Sequence, residues 1–283
     1  MHCYITLALF ALAVAPAAHA WGVVGHATIA TIAENYLTTA GKAYVTTKLG
    51  KGVTMASVAS WADSYRETTA GKFSAPYHFI DAEDDPPTSC SVDLTRDCGA
   101  GGCVVAAIAN YTQRVQDSSL STENIKEAME FLIHFLGDVT QPLHDEAELL
   151  GGNEIPVTWA GTATNLHACW DTQMVEKAAG GSNSTATLTS FAGELITRID
   201  NGTYESEKAS WVSCTDIDTA SDCALEWAQD ANALNCAYVL KANETNQELD
   251  GAYYTGAQPY LELQIAKGGY RLGTYINNLA AAA

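Results

Sequence analysis

Two pairs in this sequence, His134-x3-Asp138 and His167-x3-Asp171, constrain the fold more than any other feature. A strand would set the members of each pair about 13 Å apart. An α-helix sets them one turn apart on the same face, where they can act together. The residues around the first pair agree with a helix. Over 124–139, Ile125, Met129, Leu132, Ile133 and Leu136 recur at three-and-four spacing. Ser121-Thr122-Glu123-Asn124 supplies capping chemistry at its start, and Pro142 ends the run. Helical patterning also covers 26–39, 54–66, 103–117, 165–178, 187–200, 223–241 and 257–279, whereas alternation is scarce and best at 154–159, a short strand or hairpin arm. The loops at 82–102 and 242–256 are long and rich in Gly, Asp, Pro and Ser, with no tandem repeat, low-complexity linker or charge block elsewhere. The expected fold is mostly α: a single compact multi-helix domain with a short β-hairpin and long disulfide-braced loops.

Residues 1–20 carry an apolar stretch of h-region length and end on Ala18-His19-Ala20, the pattern of a cleavable signal peptide. They hold no Lys or Arg, and the run is short for a membrane anchor. The remainder, 21–283, is expected to be one domain without a membrane span. Cleavage makes Trp21 the first residue and exposes its α-amine near His26. Every histidine beyond the leader then stands in metal-ligand company: His26, His78 after Asp63, His134 with Asp138, His144, and His167 with Asp171. An amine, five imidazoles and three carboxylates are too many for one zinc and about right for three. Imidazole and carboxylate without thiolate suit catalytic zinc better than a closed structural cage. Pro142 lets the chain turn and present His144 back to Asp138.

A lone histidine in an apolar helix is ordinarily a packed core residue; the concentration of all five beside carboxylates favours ligation instead. Cys169 lies two residues after His167, on a different helical face, and reads as buried packing. Asp145 and Glu146 read either as groups orienting His144 or as a solvated turn.

The formal net charge of −19 excludes a broad cationic face for coating long nucleic acid. Local binding of phosphate stays open, because bound cations invert the local electrostatics. Secretion makes disulfides the default. Cys98 and Cys103 bracket a glycine-rich loop, Cys214 and Cys223 bracket a polar one, and a bridge from Cys90 to Cys236 leaves Cys169 odd; spacing alone does not fix the pairing. Sequons at Asn110, Asn183, Asn201 and Asn243 fit a secreted glycoprotein.

The motifs WGVVGH, ASWAD, PYHFID, FLIHFLGDVTQPLHD and NLHACWD resemble, in order and over essentially all of 21–283, those of the secreted single-strand-specific zinc nucleases of fungi and plants, whose metal scaffold bacterial phospholipase C shares. The resemblance implies three zinc ions: one on Asp63, His78, His134 and Asp138; a second on His144, His167 and Asp171; a third on the amine and carbonyl of Trp21 with His26, Asp138 bridging to the first. It implies a zinc-activated water attacking phosphorus, with Asp63 and Arg66 catalytic, Arg66 steadying the phosphoryl oxygens by paired hydrogen bonds. Phe79 is expected to stack on an unpaired base and Asp81 to read its edge, with Asn153 a further substrate contact. If 78–81 is extended, Phe79 and Asp81 lie away from the face of the chain that sends His78 to the metal. Near residue 162, where relatives can carry a second aromatic platform, this chain has Thr162, and Trp159 is the candidate substitute.

The implied activity is hydrolysis of single-stranded DNA and RNA to 5′-phosphorylated products, with 3′-nucleotides as further substrates, by an extracellular monomer with no obligate protein partner. Two other functions compete. A phospholipase C needs a cationic-headgroup pocket and an apolar interfacial surface, which the HFID segment does not suggest. A zinc-sequestering protein needs no phosphoryl-clamping Arg66.

Overall fold

The computed structural model describes residues 21–181 and 184–283; the expected leader and the Asn183 sequon lie outside them. Helix Thr122–Asp138 runs through the interior: Ser121 caps it by accepting from Asn124 N at 3.2 Å, and every residue from Ala128 to Asp138 is buried. A helix enclosed on all sides has to be apolar nearly all round, and here the exceptions are Glu130, His134 and Asp138. Helix Val104–Gln116 packs along it, and Trp61–Arg66 crosses its middle.

A second pair carries the other side of the site. Helix Gly22–Tyr36 lies along the 31-residue helix Ala252–Ala282. Gly269 makes that approach close: a Cβ there would stand 2.5 Å from the Ile32 side chain. Burial of Ile29 and Ile32 in this seam, both at 0 % exposure, contributes roughly 1.5–3 kcal/mol each. The sheet is one antiparallel hairpin, Pro156–Trp159 with Thr162–Asn165, in the register Val157 opposite Thr164. The fold is thus the mostly helical domain expected. Disulfides join Cys90 to Cys236, Cys98 to Cys103 and Cys214 to Cys223 across its long loops, and Cys169 is free and buried.

Several expected boundaries differ. The segment 26–39 is instead Gly22–Tyr36 followed by a separate helix, Thr39–Leu49, which Thr38 caps at Gly41 N. Gly22 and Gly25 weaken local helix preference, but the Trp21 indole, hydrogen-bonded to Gly137 O and Thr140 Oγ1, anchors the earlier start. Thr39–Leu49 buries little beyond Tyr44, Val45 and Leu49, so its pattern is faint. The segment 54–66 is broken into Met55–Val58 and Trp61–Arg66. A π-helical turn, Cys169–Gln173, interrupts 165–178, and another, Asn235–Val239, ends the helix that begins at Ala220.

Candidate metal centre and adjoining pocket

Asp138 ends the interior helix, and its two oxygens face different partners. Oδ1 is 3.1 Å from His26 Nε2; Oδ2 is 3.0 Å from His78 Nδ1 and 3.2 Å from His134 Nε2. Asp63, on Trp61–Arg66, approaches the same two rings at 3.7 and 3.6 Å. The rings of His26 and His134 stack at 3.9 Å. Trp21 opens the helix that carries His26, a little over one turn ahead of it.

The remaining ligand candidates form a neighbouring group. Gln141 accepts from Leu143 N and starts the 3-10 turn Pro142–Asp145, which brings His144 back as the proline suggested. His167 follows the Asn165 cap on Ala168 N. Its Nε2 lies 3.1 Å from Asp171 Oδ2 despite the π-turn, and Gln141 Nε2 donates to Asp171 Oδ1 at 2.6 Å. Asp63, His78 and His134; His26, His134 and Asp138; and His144, His167 and Asp171 are thus three buried groups, each with its donor atoms within 4.8 Å.

The hydrogen bonds fix which nitrogens are available. Nδ1 donates to Ala59 O from His134 (2.7 Å), to His78 O from His144 (2.7 Å) and to Gly151 O from His167 (2.6 Å). Each neutral ring then presents a bare lone pair at Nε2. His144 Nε2 and His167 Nε2 face each other at 3.2 Å, two acceptors whenever both rings are neutral. That separation is about what two ligands of one tetrahedral zinc have at Zn–N of about 2.0–2.1 Å, so the donor set fits the metal.

Burial and charge split these groups. Burial, with the neighbouring His134, lowers His26; burial takes His78 down to about 4, and it also lowers His144. His134 is raised to about 10, burial being outweighed by the Asp138 and Asp63 carboxylates. His167 is raised in the same way by Asp171. Without a cation the carboxylates thus favour a proton at Nε2 of His134 and of His167, the positions a metal would take, and metal binding there displaces it.

A cavity of about 220 Å³ opens beside His144 and His167, with Arg66, Phe79, Asp81 and Asn153 on its walls. Arg66 Nη2 stands 3.5 Å from Asp63 Oδ1, so the guanidinium reaches from the metal groups into the pocket. Phe79 has φ −151° and ψ 170°, the extended backbone expected there. Ile80 N bonds His144 O at 2.8 Å and Val104 N bonds Phe79 O at 2.9 Å, which pins this strand-like stretch. Asp81 is raised by partial burial and by the like charges of Glu83 and Asp97.

Leu150 and Gly151, absent from the sequence reading, complete the pocket wall. Leu149, Leu150, Gly151 and Gly152 all have positive φ, from 48° to 76°. Leu150 is 65 % exposed, which fits a side chain that awaits a ligand. Asn153 Nδ2 donates to Leu150 O at 2.8 Å, so Asn153 also braces this turn. Gly151 admits no side chain, because a Cβ would stand 2.5 Å from Leu143 O.

One expectation is corrected. Asp145 and Glu146 neither orient His144, which a backbone carbonyl does, nor form a solvated turn. Both are buried, and neither oxygen of Asp145 has a hydrogen-bond partner among the described residues. Burial raises Asp145 well above the carboxylate range and Glu146 to about 7. Trp159, the candidate second platform, packs edge-on against Tyr254 under the Lys177 ammonium. Cys169 is buried as expected, which raises its thiol to about 12 and keeps it unreactive.

The S1/P1 nuclease model matches residues 21–281. Nuclease P1 of Penicillium citrinum is 49 % identical over 92 % of this chain and 97 % of its own. Nuclease S1 of Aspergillus oryzae is 44 % identical over 95 % of each chain. Endonuclease 3 of Arabidopsis thaliana is 31 % identical over 93 % of this chain and 90 % of its own. On a match that spans nearly every described residue and contains all the clustered His and Asp side chains, the chain belongs to the S1/P1 nuclease family.

Proposed function

We propose that this chain is a secreted, zinc-dependent nuclease that hydrolyses phosphodiester bonds of single-stranded DNA and RNA to 5′-phosphorylated products and also removes phosphate from 3′-nucleotides. The observation that carries the metal reading is the pair of Nε2 atoms of His144 and His167 facing each other at 3.2 Å beside Asp171. Asp63, His78, His134 and Asp138 would hold one zinc; His144, His167 and Asp171 a second; the Trp21 amine and carbonyl, His26 and Asp138 a third. Zinc bound there lowers the pKa of a coordinated water to about 7 and stabilises charge on the phosphoryl and leaving oxygens.

The chain's own residues do the rest. Arg66 holds the phosphoryl oxygens through its planar donors. Phe79 and Leu150 supply apolar pocket surface for a base, and the Asp81 carboxylate accepts from the base edge. A paired base hides both its faces and that edge, so a duplex must first open at an energetic cost. The net charge of −19 provides no broad cationic groove to offset it. Three disulfides support secretion, and no helix among the described residues is long and apolar enough to cross a membrane.

The test is chelation followed by zinc, on single-stranded DNA and RNA, duplex DNA and phosphatidylcholine. Activity should vanish with chelator and return with zinc, favour single strands, and leave 5′-phosphates. Release of phosphocholine without nucleotides would favour a phospholipase, and zinc binding without turnover a sequestering protein.

A further inference from the structure

We propose that the exposed aromatic cleft around Phe73 is the docking bed for an N-glycan on Asn110, which makes that sugar a structural part of this face. The proposal rests on the reading of the chain as secreted and is independent of the nuclease chemistry. The cleft, of about 220 Å³, lies between the 3-10 helix Lys72–His78 and the helices Val104–Gln116 and Thr122–Asp138, and shares no lining residue with the pocket beside His144 and His167.

Phe73 is 52 % exposed, one of few large apolar side chains in that state. Tyr65, Tyr77 and Phe131 meet it only edge to face, at 6.4, 6.0 and 6.5 Å, and none stacks parallel on it. Phe73 thus keeps an open aromatic face on this cleft. A pyranose ring suits it, because its axial C–H groups carry slight positive charge and an aromatic face slight negative charge.

Asn110 supplies the tether. It is exposed, lines this cleft, and begins the sequon Asn110-Tyr111-Thr112. Arg114, one turn further along the same helix, and Asn124 and Glu127 across the cleft provide donors and acceptors for sugar hydroxyls. Asn243, by contrast, lines a groove with no aromatic side chain. The Thr112 hydroxyl is buried against Ile108 O and Tyr275 OH, at 2.7 and 2.8 Å, so the sequon is readable only before the helix folds. Attachment forms a bond from Asn110 Nδ2 to the anomeric carbon of the oligosaccharide and breaks the sugar–phosphate bond of its lipid diphosphate donor. The amide proton leaves with that phosphate.

The test uses the full chain secreted from a eukaryotic host. Mass spectrometry should find Asn110 occupied, and endoglycosidase trimming to the innermost sugar should leave the melting temperature unchanged. Asn110→Gln should lower it by about 2–4 °C, and should have no such effect in a Phe73→Ala background, since a coupled pair is non-additive. An unmodified Asn110 while other sequons are occupied would overturn the proposal, as would equal losses from Asn110→Gln with and without Phe73. A chain glycosylated nowhere would overturn the secretory reading together with it.

Discussion

Two sets of charges in this protein, one partly buried and one buried, are built on opposite plans. In the first, Asp230 sits between Lys267 and Arg271. Lys267 Nζ donates to both carboxylate oxygens at 2.7 and 2.8 Å, Arg271 Nη2 donates to Oδ2 at 2.9 Å, and Arg271 Nε donates to Trp211 O at 2.9 Å. Every one of these contacts pairs a donor with an acceptor. In the second, around Asp138 and Asp171, ring nitrogen faces ring nitrogen: His78 Nδ1 lies 3.0 Å from His134 Nε2, and His144 Nε2 lies 3.2 Å from His167 Nε2. In the first set only Arg271 Nη1 lacks a partner among the described residues, and the set ties helix to helix. The second offers three groups of buried donor atoms close enough to hold cations. What separates them is how the facing atoms are matched: cation to carboxylate in the first, ring nitrogen to ring nitrogen in the second.

The largest expected effect comes from the carboxylate on which the second set converges. Asp138→Asn should lower nuclease activity by about 10³-fold or more, about 4 kcal/mol of transition-state stabilisation, and take zinc content below three per chain. Zinc added to the metal-free parent should raise its melting temperature, and that gain should shrink in the variant. Unaltered activity would show that the second set is not the reaction centre. One extra residue ahead of Trp21 should act in the same direction, since a peptide nitrogen is a poor zinc ligand. N-terminal sequencing of the active form should read Trp-Gly-Val.

The first set should respond in stability alone. Asp230→Ala leaves two cations facing each other, Arg271 being 5 % exposed, and should cost about 3 kcal/mol in denaturant unfolding, with or without zinc. The Asp230 carboxyl is partly buried, but Arg271 and Lys267 outweigh that and lower its pKa below 3.8. Its contribution is therefore complete above the ordinary carboxylate pKa and is lost as the pH falls through the lower folded value. A zinc-dependent loss in this variant would blur the distinction between the two sets.

The smallest effect belongs to the pocket. Phe79→Ala should weaken base binding by about 1–3 kcal/mol and narrow the preference for single strands without altering zinc content. Equal rates on duplex and single strands, unchanged by this substitution, would remove Phe79 from the base site while leaving the metal groups intact.

What could be read from the sequence follows the same division. The metal groups were legible because only a few side-chain types ligate zinc, and because helical spacing puts His134 with Asp138 and His167 with Asp171 on shared faces. The extended run at Phe79 and Asp81 was legible from the motif and its alternation. The helix Thr39–Leu49 was not, since its buried side is thin. Leu150 and Gly151 were not, because their contribution comes from backbone angles that no residue pattern announces. The surroundings of Asp145 were not, because whether a carboxylate beside a ligand is hydrated depends on what packs over it, here the helix Ala220–Leu234 through Asn232, whose amide bonds Asp145 O at 2.8 Å.

The left-handed run from Leu149 to Gly152 has a consequence for affinity. For leucine this conformation costs roughly 1–2 kcal/mol per residue, and the folded chain carries that cost at all times, held by the Asn153 amide and the His167 imidazole that bond its carbonyls. A substrate arriving at the pocket therefore meets a rim already in one shape and loses no binding energy to ordering a mobile loop. Relaxing the run with glycine at position 150 would ease the fold and soften the rim in the same stroke: a more comfortable protein with a poorer grip on its substrate.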